Sequence, residues 1–334
     1  MEHYITEIKI DELRHLSNIT IELKKDRRTN LLLTGKNGSG KTTVLQAVKK
    51  YLTAITEESY GKINKDFVRA LKQTKERMSS AQNETERYNA QKDYEYFREV
   101  INRYKEGIDV IFNNDDGLEA LYEEGKYVLA YYSADRKTAI VKMSGVEEVI
   151  LNTSYKLEEN PGMSLHKYLV HLKTQQSYAR NEGDQETVEV LEQWFSRFTE
   201  ALKTLLDDPE LKLEYDYKNY NFQIIEEGRK PFGFDQLSDG YSAAIQIVAD
   251  LILRMEQNWL KQGALSTYDT EGIVLIDELE THLHIALQKK ILPFLTAFFP
   301  RIQFIVTTHS PYILNSIEEC VIYDLEKQIR MEDM

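Results

Sequence analysis

One run of eight residues constrains this chain more than any other: Gly35-Lys36-Asn37-Gly38-Ser39-Gly40-Lys41-Thr42. It fits the phosphate-loop pattern GxxxxGK[ST]. Glycines let backbone N–H groups approach an anion closely. A helix that starts at the end of such a loop adds its positive dipole end. The run follows a short apolar stretch, 31–34, and precedes a helical pattern from about 41 to 51. A strand, a tight anion-binding turn and a helix in that order place the chain among α/β folds. Gly35, Asn37, Gly38, Ser39, Gly40, Lys41, Thr42 and Thr43 are the candidate phosphate-binding residues. Lys41 is expected to reach the β and γ phosphates of a nucleotide, and the Thr42 hydroxyl to hold Mg²⁺.

Two further apolar stretches end in chemistry. Ile273-Val274-Leu275-Ile276 runs into Asp277-Glu278. Asp277 is placed to hold the Mg²⁺ hydration shell. Glu278 is placed to orient or deprotonate an attacking water. Read alone, the pair is also compatible with a strand that ends in solvated acids. The other stretch, 303–307, leads into Thr308-His309-Ser310-Pro311. His309 is either a sensor of the γ phosphate or a surface turn histidine.

The remaining elements follow from periodicity. Strands are expected at 4–10, 19–23, 108–112 and 127–133. A hairpin is expected at 211–217 and 221–225, with a terminal hairpin at 321–324 and 328–331. Helical spacing runs over 61–107 (Ile63, Phe67, Leu71, Met78; Tyr94, Phe97, Ile101, Tyr104), with a break near Ser79-Ser80 and Asn83. It returns over 164–206, broken near 181–184, and over 236–255. The expected architecture is a P-loop α/β core of 1–60, 108–160 and 207–334. Residues 61–107 form an inserted helical segment and 161–206 a helical lobe. The inserted helices are expected to make a second lobe, discontinuous in sequence.

Composition narrows the setting. The net charge of −13 argues against coating nucleic acid over the whole surface. Cys320, the single cysteine, forms no internal disulfide. The stretch 291–299 is too short to span a bilayer. Residues 1–7 lack the pattern of a signal peptide. A cytoplasmic protein with no membrane partner is expected.

Taken together, these motifs resemble the ATP-binding-cassette ATPases of the SMC/RecF-like branch, over most of the chain at both ends. Leu237-Ser238-Asp239-Gly240-Tyr241 is similar to the cassette signature, with Asp239 and Tyr241 as departures from Leu-Ser-Gly-Gly-Gln. Alone, it reads equally as a helix-capping turn. Leu279-Glu280-Thr281-His282-Leu283-His284 resembles the D-loop region of the OLD and Septu-type phage-defence ATPases, with Leu279 and Ile285 where prolines are usual. Tyr131-Tyr132-Ser133-Ala134-Asp135-Arg136 and the Thr-His-Ser-Pro segment fit the same branch. The resemblance implies ATP and Mg²⁺ as ligands, and a homodimer with ATP at the interface. In that dimer, Ser238 and Gly240 of one copy close the site of the other. It also implies Glu278, His309 and Lys41 as catalytic residues. The Mg²⁺-binding glutamine usual in cassettes has no visible counterpart within 133–136. His282 and His284 are poorly spaced for a metal pair and are expected to serve packing and dimer contact.

The inserted segment carries eleven Lys and Arg against seven acids, with Glu106 an eighth at its edge. Lys62, Lys65, Arg69 and Lys72 share one helix face. DNA or RNA phosphates fit such a face, and so does plain solvation. OLD-type proteins continue into a nuclease domain, and no room for one is seen here. The chain is expected to cut nothing itself, and a separate effector, a nuclease or a toxin, to do so. Two functional classes result. One is an ATP-hydrolysing motor or sensor subunit of DNA maintenance or anti-phage defence. The other is a slow ATP switch that holds and releases a protein partner.

Overall fold

The computed structural model describes residues 2–135, 145–262 and 268–331. Arg136 lies outside the described residues. The chain opens with β1 (Ile5–Leu13) and β2 (Leu16–Glu22), an antiparallel pair joined through Arg14 and His15. Both exceed the expected 4–10 and 19–23. The turn carries no glycine or asparagine to announce it, and Arg14 takes a left-handed φ of 56°. β3 (Asn30–Thr34) leads through the glycine loop into α1 (Lys41–Thr56), one turn longer than expected. A π-helical turn (Lys62–Phe67) opens the hairpin of α2 (Val68–Ser80) and α3 (Glu84–Lys105). Asn83 caps α3 by accepting from the Glu86 amide.

Next come β4 (Ile108–Phe112), α4 (Leu118–Glu123) and β5 (Tyr127–Tyr132). After a 3₁₀ turn (Pro161–Ser164) come α5 (Leu165–Glu182) and α6 (Gln185–Leu206). They part at Gly183, at the expected break. β6 (Lys212–Asp216) and β7 (Asn221–Ile225) form the expected hairpin, and β8 (Phe232–Gly233) adds a short third strand. The chain finishes with α7 (Asp239–Gln262), β9 (Glu271–Ile276), α8 (Ile285–Phe298), β10 (Ile302–Thr307), α9 (Pro311–Leu314), β11 (Cys320–Asp324) and β12 (Ile329–Met331).

The central sheet has the order β12-β11-β3-β10-β9-β5, parallel throughout except for β12. Its inner strands β3, β9 and β10 are buried on both faces, as their continuous apolar runs require, and the edge strand β12 is exposed. Alternate residues feed two cores. Leu32, Val274, Ile276, Phe304 and Val306 face one; Leu31, Leu33, Ile273, Leu275 and Ile305 face the other. α1 and the sheet β2-β1-β4 close the second core, and α5, α6, α7 and α8 close the first.

The two helical segments thus occupy opposite faces of the sheet and do not merge into one lobe. Ile63 and Ile101 of the first are buried in the α1 core, whereas Trp194 and Phe198 of the second are buried beside α7. Among the described residues, no helix is long and apolar enough to cross a membrane.

Candidate functional site

Parallel strands end at the same edge of a sheet, so the loops after β3, β9 and β10 meet. The loop after β3 turns on three left-handed glycines, Gly35 (φ 131°), Gly38 (φ 84°) and Gly40 (φ 98°). At Gly40 a Cβ would also lie 2.8 Å from Leu16 Cδ1, so the end of that side chain would have to shift. The helix that follows has no acid in its first turn, which leaves its positive end uncancelled. Lys41 Nζ donates to the carbonyls of Gly35 (3.0 Å) and Lys36 (3.2 Å), folded back along the loop. Burial pulls its pKa below the ordinary lysine value, while the carboxylates of Glu278, Glu280 and Asp277 pull it upward. Ser39 Oγ is buried, and among the described residues it meets no hydrogen-bond partner. Orphaned polar atoms of this kind are rare in native interiors and fit a ligand oxygen.

An open cleft of about 440 Å³ lies over this loop. Asn37, Gly38, Gly40, Lys41, Thr42, Thr43, Glu278 and His309 line it. Beneath it, Asp277 is buried at the end of β9. Its Oδ1 accepts from Thr42 Oγ1 (3.0 Å) and Thr307 Oγ1 (2.6 Å). Thr307 Oγ1 in turn accepts from the Glu278 amide (2.7 Å). Glu278 takes a left-handed φ of 45°, at the turn that carries the chain off β9 to the cleft. Glu280, two residues on, accepts from the Thr308 hydroxyl (2.7 Å) and from the His309 amide. An anion cradle with oxygen donors at its helix end suits a magnesium-bound triphosphate.

Ser238 and Gly240 lie elsewhere within the chain. Ser238 is exposed immediately before α7 and lines a separate groove with Arg229, Tyr241 and His284. Gly240 is buried under the loop after Glu278, and a Cβ there would sit 2.4 Å from the His282 carbonyl oxygen. Four residues around the site were given no role from the sequence. Arg14 and His15 reach the cleft from the β1–β2 turn, which lacks a turn signal. Thr307 and Glu280 act by bonding across the sheet, which no spacing announces. On the insertion, Lys62, Arg69 and Lys72 are exposed, but Lys65 pairs with Asp116 (3.1 Å) and Asp115 (3.7 Å).

A glycine cradle at the helix start after β3, with Asp277 and Glu278 at the end of β9 two strands away in a mostly parallel sheet, defines a nucleotide-binding site of the P-loop class. The family model described as "AAA domain, putative AbiEii toxin, Type IV TA system" matches residues 31–315, and the chain belongs to that family. It is 25% identical to the Septu protein PtuA of Bacillus mycoides (strain KBAB4) over 331 residues, 95% of this chain and 39% of that protein. It is 36% identical over 93 residues to the Septu protein PtuA of Bacillus thuringiensis, covering 28% of this chain and 24% of the relative. It is 38% identical over 95 residues to the retron Ec83 probable ATPase of Escherichia coli, covering 28% of this chain and 17% of that one. The chain therefore spans about two fifths or less of the length of these relatives. The SmcHead bound to the C-winged helix domain of ScpA aligns with a TM-score of 0.44 at 13% identity, over 99% of this chain and 95% of that one. The likeness to Septu-type ATPases expected from the sequence is borne out by these relatives.

Proposed function

We propose that this chain binds and hydrolyses ATP in sites shared between two copies arranged head to tail. The observation that carries this is the meeting of Lys41, Thr42, Glu278 and His309 in one cleft over buried Asp277. Backbone amides from Gly38 to Thr43 cradle the phosphates. Lys41 turns from its own carbonyls to the β and γ phosphates. Thr42 and Asp277 hold Mg²⁺, which when bound offsets the charge that develops on the phosphates. Glu278 orients the water and takes its proton, and His309 contacts the terminal phosphate. The exposed Ser238 end of α7 in the second copy, with Gly240 behind it, offers a helix N-terminus to that phosphate. Within one chain Ser238 lines a different groove, which supports a second copy as the source of that helix end.

The family description and the relatives' names, Septu protein and retron ATPase, support a place in a defence system, with DNA maintenance as the other setting. There the chain would act as the ATPase or sensor of a separate nuclease or toxin, in the cytoplasm. The exposed Lys62, Arg69 and Lys72 offer a phosphate-binding stripe for DNA or RNA. Steady-state ATP turnover with and without DNA tests the proposal, together with light scattering in ATP. Turnover raised by DNA and an ATP-dependent dimer are expected. A monomer at every nucleotide concentration would overturn the shared site. Tight binding with negligible turnover would instead mark a switch that holds and releases a protein.

A further inference from the structure

The loop between β9 and α8 touches three separate parts of the site. At its start, Glu278 lines the phosphate cleft. At its middle, Glu280 accepts from Thr308 Oγ1 (2.7 Å) and from the His309 amide, one bond to each carboxylate oxygen. At its far end, the His282 carbonyl lies against Gly240, so closely that no side chain fits between them. The loop is braced internally. Leu279 and Leu283 are buried, the Leu283 amide donates to Glu280 O (2.9 Å), and Thr281 N donates to Glu278 O (3.0 Å). A second stitch runs in parallel: Gln288 Nε2 donates to Leu283 O (2.7 Å), and its Oε1 accepts from Ser310 Oγ (2.6 Å).

From this geometry we infer that Glu280 is a positioning residue that ties His309 to the start of α7. A shift of the α7 start presses on His282 through Gly240, displaces the rigid loop, and carries the Thr308–His309 segment with it through the Glu280 carboxylate. The occupancy of the Ser238 end is thereby read at the histidine in the same chain's cleft. The role of Glu280 in turnover rests on the hydrolytic function proposed above, but its hold on His309 does not.

The test compares Glu280→Ala and Glu280→Gln with the wild-type chain. Glu280→Ala removes both bonds and leaves the cradle intact. The expected result is a kcat lowered on the order of 100-fold, the loss typical of a misplaced reacting group, with KM for ATP changed by less than about threefold. Glu280→Gln keeps one carbonyl acceptor and is expected to restore part of the rate. An unchanged kcat, or a loss carried by KM, would overturn the inference. Hydrogen exchange without nucleotide gives a second readout. Glu280→Ala should speed exchange over residues 307–314 and not over 38–44, and equal exchange over 307–314 would overturn the inference. A wild-type chain that fails to turn over ATP would sink the proposed hydrolysis, while the exchange result would still decide for or against Glu280.

Discussion

Thr42 Oγ1 and Asp277 Oδ1 stand 3.0 Å apart, although 235 residues separate them in the chain. The parallel placement of β3 and β9 about β10 brings them together, and Thr307 on β10 donates to the same oxygen from between. Asp277→Asn keeps the shape and removes the charge that would hold Mg²⁺. The Mg²⁺ concentration for half-maximal ATP turnover should rise about 10- to 100-fold. A magnesium titration that superimposes on that of the wild type would refute the assignment.

Lys41→Ala should weaken ATP binding roughly 100-fold, as expected when a charged donor worth about 3 kcal/mol is removed. Fluorescence titration with a labelled ATP analogue measures it directly. Normal affinity would remove Lys41 from the phosphate site.

Glu278→Gln should leave ATP affinity within a few-fold and lower turnover by about 100-fold or more, the usual worth of a general base. The variant should accumulate as an ATP-bound dimer, visible by light scattering. If it stays monomeric in ATP, the head-to-tail arrangement is wrong.

Gly240→Ala should cost about 1–3 kcal/mol of stability, because its Cβ would press on the His282 carbonyl. Denaturant unfolding checks this. Unchanged stability would show that the loop after β9 gives way freely, and would weaken its description as a rigid connection.

Glu256 lies buried in α7, where its Oε2 accepts from Trp194 Nε1 (3.0 Å). Burial raises its pKa to about 7, and the Trp194 bond pulls the other way. The folded chain therefore holds a proton that the unfolded chain releases near the ordinary value of 4.5. This contribution to stability is complete below about pH 4.5 and is lost as pH rises through about 7, on the order of 3 kcal/mol. Glu256→Gln should abolish that slope and be the more stable form at pH 8. Parallel wild-type and variant curves between pH 4.5 and 7.5 would contradict it.

Much of this molecule is legible in its sequence. The GxxxxGK[ST] run, the apolar stretches that end in Asp277-Glu278 and His309, and the 3.6-residue spacing of 61–107 and 164–206 are local patterns. Backbone chemistry and side-chain periodicity create them within a few residues. Other features were not local. The β1–β2 turn that brings Arg14 and His15 to the cleft uses a left-handed arginine where glycine or asparagine would have been the signal. The two helical segments look alike in sequence, yet they lie on opposite faces of the sheet.

What the sequence determined by itself is the set of reactive groups and the strand or helix end each occupies. Steric freedom at glycine and hydrophobic periodicity act over one turn or one strand. What only the tertiary structure decided is which of those ends meet: Thr42 with Asp277, Glu280 with His309, Gly240 under His282. The first two meetings follow from the strand order β3-β10-β9, in a sheet whose alternate residues feed two cores.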